Sequence, residues 1–221
     1  MPREVEIKLK VTDARTLLRV LKKLGAQLDG NGSGRVHEMN VIFDTPQGGL
    51  AKHGQLLRIR TETPESAPKK ANGRHPSLKL RQRSVLTFKK PLADSPDEPA
   101  KRGSARHKVR EELEVEVTDP GKLTQIFEGL GMKGWFRYEK YRTTYHLPRV
   151  AWAKALLIEL DETPIGIFVE LEGPPQAIDR AARALGYTSR DYILKNYLVL
   201  NVEACRQAGR EPSDMFFDPA K

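Results

Sequence analysis

Charged and apolar residues alternate along the first stretch of the chain, Glu4-Val5-Glu6-Ile7-Lys8-Leu9-Lys10, and this alternation returns in almost every later segment that reads as a strand. Side chains of a strand point to opposite faces with a period of two. Val5, Ile7, Leu9 and Val11 therefore share one face, and Glu4, Glu6, Lys8 and Lys10 share the other. Further on, Arg58 falls beside Arg60, Thr87 beside Lys89, and Arg110, Glu112, Glu114 and Glu116 lie opposite an apolar set. Lys140 pairs with Arg142, Glu159 with Asp161, and Glu170 with Glu172. One such strand is simply half-buried with a wet face. Like charges doubled at i and i+2 repel, and bidentate binding of phosphate or a metal would offset that repulsion. A closed barrel abolishes sheet edges and turns the charged faces into a polar lumen.

The 221 residues suffice for one barrel-like domain or two small ones. A lone cysteine, Cys205, rules out an intramolecular disulfide and fits a reducing compartment. No apolar run reaches transmembrane length, and the first strand begins too close to Met1 to leave room for a signal peptide, so a cytoplasmic protein is expected. The net charge of +9 raises nucleic-acid binding as a possibility. Much of that excess sits in two segments that read as loops. Thr61 to Ser84 carries Lys69, Lys70, Arg74, Lys79, Arg81 and Arg83, and Leu92 to His107 carries Lys101, Arg102 and Arg106. No aromatic-interleaved basic stripe accompanies them, so mobile basic loops are expected, with steering of an anionic substrate as the functional alternative.

The chain also repeats itself. Thr12-Asp13 ahead of Leu17, Leu18, Leu21 and Leu24 reads as a capped amphipathic helix stopped by Gly25. Thr118-Asp119 ahead of Leu123, Ile126, Phe127 and Leu130, stopped by Gly131, aligns with it without a gap. Two halves of similar plan are expected, about 1–91 and 108–173, within one domain spanning 1–205. The paired residues of the first half are mostly basic and those of the second mostly acidic, with Glu4 and Glu6 crossing over on one side and Lys140 and Arg142 on the other. Closing the halves face to face gives a lumen with a cationic and an acidic wall, suited to a polyphosphate and divalent cations. A helix is expected over 174–186. A second, from Arg190 to Cys205, packs outside the barrel or plugs one tunnel end through Lys195 or Tyr197. Residues 206–221 read as a flexible tail.

Glu4-x-Glu6-x-Lys8 at the N-terminus resembles the signature of the CYTH proteins, the triphosphate tunnel metalloenzymes. Further blocks strengthen the resemblance: Phe43-Asp44-Thr45-Pro46, Leu57-Arg58-Ile59-Arg60, Leu86-Thr87-Phe88-Lys89, Arg110-Glu111-Glu112-Leu113-Glu114, Lys140-Tyr141-Arg142, Asp161 with Gly166, and Glu170-Leu171-Glu172. It implies an α+β fold, a closed eight-stranded antiparallel β tunnel with a charged lumen and helices outside, which binds a triphosphate with magnesium or manganese. Glu4, Glu6, Asp161, Glu170 and Glu172 are the metal ligands it implies. Lys8, Arg58, Arg60, Lys89, Arg110, Lys140 and Arg142 would hold phosphate oxygens, with Arg110 alternatively neutralising the carboxylates beside it. Glu4, Glu6, Lys8, Glu112 and Glu114 are the implied catalytic set. The two long basic loops depart from a minimal member and bear on the tunnel mouth.

The residue chemistry points the same way. Carboxylates are hard ligands suited to magnesium or manganese. None of the five histidines has metal-ligand spacing, no Walker loop is present, and no Gly-x-Ser-x-Gly elbow appears. A metal-dependent phosphohydrolase acting on inorganic tripolyphosphate, thiamine triphosphate or a nucleoside triphosphate is expected. A class IV adenylyl cyclase, a non-catalytic polyphosphate-binding module and a nucleic-acid binder are the alternatives. The expected partner is a triphosphate-bearing small molecule, without membrane or nucleic acid, and the chain is expected as a monomer or homodimer.

Overall fold

The alternation at the N-terminus becomes strand β1 (Arg3–Val11), whose odd-numbered apolar residues from Ile7 onward are buried under helices. The computed structural model describes residues 3–29, 34–65, 82–92 and 106–218. After β1 come α1 (Ala14–Lys23), β2 (Gln27–Leu28), β3 (Arg35–Asp44), the single turn α2 (Gly49–Lys52), β4 (Leu56–Pro64) and β5 (Arg83–Lys90). The second half supplies β6 (Lys108–Glu116), α3 (Pro120–Gly129), β7 (Lys133–His146), β8 (Leu157–Thr163), β9 (Gly166–Glu172), α4 (Pro175–Ala184) and α5 (Tyr197–Gln207).

Eight strands close into an antiparallel barrel in the order β7-β3-β4-β5-β6-β1-β9-β8, with β8 returning to β7, and the short β2 adds to the outer edge of β7. The fold is therefore the expected α+β barrel with its helices outside. Exchanging β1 with β6, β3 with β7, β4 with β8 and β5 with β9 leaves this cyclic order unchanged, so the sequence repeat is also a repeat of topology. The matching helices are built alike. Asp13 accepts from the Thr16 amide at 3.1 Å and Asp119 from the Lys122 amide at 2.9 Å. Gly25 and Gly131 follow at φ 74° and 81°, a conformation that suits glycine at a helix end.

Each half donates its first strand to the other. β1 lies between β6 and β9, and β6 between β5 and β1. The largest apolar cluster lies outside the barrel, where Ile7, Leu9, Val169 and Leu171 meet α1 through Leu21 and α4 through Ile178. Each fully buried side chain of that size contributes about 1.5–3 kcal/mol. Gly173 ends β9 at φ +146°, where a Cβ would stand 2.4 Å from the Ala155 carbonyl oxygen.

Three expectations change. The helix drawn from Arg190 starts at Tyr197, because Asn196 caps it through the Val199 amide at 2.9 Å and Ile193 is tied to β1. Its backbone exchanges two hydrogen bonds with Lys8, at 3.0 and 2.8 Å, which extended geometry allows and a helix does not. The stretch read as a loose tail is instead held along β7 as far as Phe217. Met215 exchanges backbone hydrogen bonds with Arg137 and Glu139 and is buried against Phe136 and Tyr138, while Glu139 accepts from the Phe217 amide at 2.6 Å. The apolar triplet Met215-Phe216-Phe217 inside an otherwise polar stretch is the sequence signal for such docking. Finally, β4 runs to Pro64 and β5 starts at Arg83, so the first basic loop is shorter than Thr61 to Ser84. Lys69, Lys70, Arg74, Lys79, Arg81, Lys101 and Arg102 lie outside the described residues.

Candidate functional site in the barrel lumen

The inward faces of the strands enclose a cavity of about 260 Å³. Glu4, Glu6, Lys8, Arg58, Arg60, Lys89, Arg110, Glu112, Glu114, Lys140, Arg142, Glu170 and Glu172 all line it, as their strand parity requires. Asp161 shares their face but is fully buried beneath the lining. Its carboxylate accepts from Lys140 at 2.8 Å, twice from Arg142 at 2.7 Å, and from the Tyr197 hydroxyl at 2.6 Å. Both oxygens are committed, so Asp161 braces the cations of β7 and stands apart from the carboxylates that face the cavity.

Register sets the electrostatics. Glu4 lies opposite Arg110, Glu6 opposite Lys108, Lys8 opposite Glu170, Lys89 opposite Glu112, Lys140 opposite Glu38 and Arg142 opposite Asp161. The side chains follow: Lys8 binds Glu170, Lys108 binds Glu6, and Lys89 reaches Glu4 at 2.6 Å and Glu112 at 3.1 Å. Arg142 gathers Asp161, Glu170 and Glu159, the last at 2.5 Å. Glu6 shows the effect. Burial favours its neutral form, yet Lys108, with help from Lys8 and Lys89, brings its pKa down to about 2.

Elsewhere carboxylates crowd one another. Glu6 faces Glu172 and Glu170 faces Glu159 across the β1, β9 and β8 ladders. Burial pushes Glu172 up to about 8, reinforced by Glu159 and Glu4. Glu159 rises to about 7 through burial, against the pull of Arg142 and with Glu170 and Asp161 adding to the rise, and Glu112 also rises, chiefly through burial. Glu4 Oε2 is buried without a hydrogen-bond partner. Hard oxygen donors that repel one another suit a divalent cation such as magnesium or manganese. Among the described residues no three such side chains already form a metal-holding group. Resident lysines and arginines hold Glu4, Glu6, Glu112, Glu159 and Glu170 instead.

Two lumen cations are differently placed. Among the described residues neither Arg58 nor Arg110 has a carboxylate within salt-bridge distance. Arg58 instead donates to the Tyr138 hydroxyl at 3.3 Å and to Thr87 Oγ1 at 3.4 Å. At one end of the lumen Tyr138, Phe136, Phe168, Met215 and Tyr197 form an aromatic cluster. The first turn of α5 reaches the lumen: Asn196, Tyr197 and Leu198 line the cavity, and Tyr197 extends to Asp161 and places its ring 4.6 Å from Lys8 Nζ. Lys195 instead pairs with Glu203 on the surface at 2.6 Å.

Sequence reasoning missed Lys108, Glu38, Asn40 and Tyr138 as site residues, and it put Glu159 on the acidic wall beside Asp161 without giving it a role. Lys108 and Glu159 were within reach, since each shares the parity of residues already chosen. Glu38, Asn40 and Tyr138 belong to β3 and the first part of β7, which show no clean alternation. Asp44 in the Phe-Asp-Thr-Pro block proves to be a turn-former, accepting from the Thr45, Leu50 and Ala51 amides at 2.7–2.9 Å and so fixing the link from β3 to β4.

Comparison with known proteins supplies the relatives. The family model described as CYTH domain matches residues 2–197. A Methanocaldococcus jannaschii protein named "Putative adenylate cyclase" is 26% identical over 207 residues, covering 89% of this chain and 97% of that one. A Vibrio parahaemolyticus structure, also named as a "putative adenylate cyclase", superposes with a TM-score of 0.63 at 16% identity, over 88% of this chain and 94% of that one. A Hippeastrum structure, named "Putative adenylyl cyclase" and described as having a dominant triphosphatase activity, matches with a TM-score of 0.50 at 20% identity, over 94% and 96%. Among the described residues no helix is long and apolar enough to cross a membrane.

Proposed function

The chain belongs to the CYTH family, and from that membership together with its lumen we propose that it is a divalent-metal-dependent phosphohydrolase acting on a triphosphate. The substrate class covers inorganic tripolyphosphate, thiamine triphosphate and nucleoside triphosphates. One observation carries this reading: a single cavity holds guanidinium groups with no carboxylate within salt-bridge distance among the described residues and, beside them, carboxylates whose pKa values are raised by burial and by one another. A triphosphate answers the first and a divalent cation the second.

Arg58 and Arg110 take phosphate oxygens without first breaking an ion pair. Lys8, Arg60 and Lys89 exchange a carboxylate for a phosphate oxygen and stabilise the charge that gathers on the transferred group and the leaving diphosphate. Lys140 and Arg142 add field from a braced position. Glu4, Glu112 and Glu172 are the residues that would hold the metal, with Glu6 joining them once Lys108 turns to phosphate. Magnesium or manganese there supplies charge neutralisation and polarisation of a phosphoryl oxygen. The aromatic cluster keeps water out of one end of the lumen.

The likeness to the Methanocaldococcus jannaschii protein favours a second reading, an adenylyl cyclase on the same scaffold, in which the ribose 3′-oxygen of ATP displaces diphosphate. Purified protein is to be offered tripolyphosphate, thiamine triphosphate and ATP, each with magnesium or manganese, and the products separated by chromatography. Orthophosphate release that disappears in Glu4→Gln supports the hydrolase. Cyclic AMP and diphosphate from ATP replace it with the cyclase. Triphosphate binding without turnover leaves a binding module and ends the enzyme reading.

A further inference from the structure

Asn40 lies on β3 between Glu38 and Ile42, and its register partners are Arg60 on β4 and Tyr138 on β7. Arg60, Tyr138 and Ile42 line the cavity, and cross-strand partners and i±2 neighbours share a face, so Asn40 lies on the lumen face, immediately behind the side chains that line the cavity. It is fully buried, and neither its Nδ2 nor its Oδ1 has a hydrogen-bond partner among the described residues. On the adjacent strand Arg58 Nε is buried and unpartnered too. Glu38 Oε2, one step along the same face, makes no hydrogen bond and reaches only Lys140 Nζ, at 3.4 Å. The unfilled atoms form a set: donors from Asn40 and Arg58, acceptors from Asn40 and Glu38.

Buried polar atoms are almost always satisfied, by protein, by ordered water or by a ligand. A carboxamide with both ends unfilled is selective about what fills it. The oxygens of an ionised triphosphate only accept, so they can take Nδ2 or Arg58 Nε but not Oδ1. Oδ1 and Glu38 Oε2 both require a molecule with hydrogens to give. Water has two, and once both are donated a lone pair is left pointing elsewhere.

We propose that Asn40, with Glu38, holds the water that attacks the terminal phosphorus of the bound triphosphate. This rests on the hydrolase reading above. The water oxygen bonds to the terminal phosphorus as the bridging P–O bond breaks, and diphosphate departs with that electron pair. Both water protons travel with the oxygen to the new orthophosphate, which sheds one to solvent afterwards. Through such a loose transition state the site needs alignment more than a base. An amide can align and cannot take a proton. Glu38 is also a poor base, because the pKa that burial would raise is held down to about 2 by Lys140 and Arg142.

The test is kinetics on full-length Asn40→Leu and Asn40→Asp with tripolyphosphate and magnesium, alongside calorimetric tripolyphosphate affinity and thermal melts. Asn40→Leu should lower kcat by about 100-fold, the scale set by losing the alignment of a reacting group, while KM and the tripolyphosphate Kd stay within about 3-fold. Asn40→Asp keeps an acceptor oxygen in place and should retain kcat within about 10-fold of wild type. Unchanged kcat in Asn40→Leu overturns the proposal and leaves a structural water only. A Kd weakened 10-fold or more with kcat spared also overturns it, because Asn40 would then hold phosphate. Should the leucine variant fail to fold, a folded Asn40→Asp that has lost kcat by more than 100-fold is the overturning result. Wild-type protein that releases no orthophosphate removes the hydrolase reading itself, and this role with it.

Discussion

Glu172→Gln should make the free protein more stable at alkaline pH, although it removes a lumen carboxylate. The side chain is half-buried on β9, opposite Glu6 in register, and burial with Glu159 and Glu4 raises its pKa from 4.5 to about 8. In the unfolded chain the proton leaves near 4.5, whereas in the fold it stays until about 8. Between those values the folded state holds a proton that the unfolded state lacks, so stability falls as pH rises through the window and the loss is complete above it. At roughly 1.4 kcal/mol per pH unit the full interval amounts to about 5 kcal/mol. Water reaches a half-buried group, and halving for that screening leaves about 2–3 kcal/mol. Glutamine mimics the protonated carboxyl and does not titrate. Urea denaturation in chelator should therefore find wild type and Glu172→Gln alike near pH 5, and the variant more stable by about 2–3 kcal/mol near pH 8.5. Manganese at the higher pH should raise wild type and leave the variant where it was. A variant equal to or weaker than wild type at pH 8.5 refutes the crowding of carboxylates from which the metal assignment is drawn.

Asp161→Asn should act in the opposite sense, costing about 3–5 kcal/mol at neutral pH by urea denaturation, because Lys140 and Arg142 stay buried without their main counter-charge. A loss under about 1 kcal/mol would show that Asp161 is not the brace of β7. Arg58→Met should weaken calorimetric tripolyphosphate binding by about 10–100-fold, the value of a charge-assisted hydrogen bond, while leaving the melting temperature close to wild type because no carboxylate loses a partner. A large drop in melting temperature with affinity intact would place Arg58 in the scaffold. Truncation after Gly209 removes the buried Met215 and should lower stability by about 2–5 kcal/mol and expose Tyr138 to quenchers of tyrosine fluorescence. Unchanged quenching would mean that the docked segment does not seal that end.

Strand parity made most of the barrel lumen legible. Where one face is apolar and the other charged, as at Glu4-Val5-Glu6-Ile7, the two-residue period assigns every side chain to core or lumen without further information. β3 escaped because Val36-His37-Glu38-Met39-Asn40-Val41-Ile42 mixes classes on both faces. Its outer face meets α3 at Val41 and Phe43, and its inner face is partly polar at Glu38 and Asn40 and partly apolar at Ile42. The start of α5 was misplaced for a different reason. Tyr192, Ile193 and Leu194 fit a helical stripe as well as they fit an added strand, and the deciding fact, a backbone ladder to Lys8 nearly two hundred residues away, leaves no local mark. Parity also cannot tell a carboxylate that faces a ligand from one that braces a cation. Asp161 and Glu172 look alike in sequence, and only burial and the number of donors around each separate them.

The expected cationic and acidic walls exist, but the strand exchange redraws them. In the eight-stranded order β4 stands four strands from β9 and β5 four strands from β8, so Arg58, Arg60 and Lys89 lie across the lumen from Glu159, Glu170 and Glu172. The residues that seemed to cross over are the ones that the topology moves. β1 leaves its own half to pair with β9, and it carries Glu4 and Glu6 into the acidic wall. β7 pairs with both β3 and β8, and its Lys140 and Arg142 are bound by Glu38 and Asp161 on either side. The internal two-fold relates β4 to β8 and β5 to β9, so equivalent strands bear opposite charge. A symmetric barrel with symmetric charge would carry the same charge on both related walls and would set up no field from one to the other. Breaking the charge symmetry while keeping the backbone symmetry gives a lumen polarised from one wall to the other, which is what a ligand with anionic oxygens on one side and a cation on the other requires.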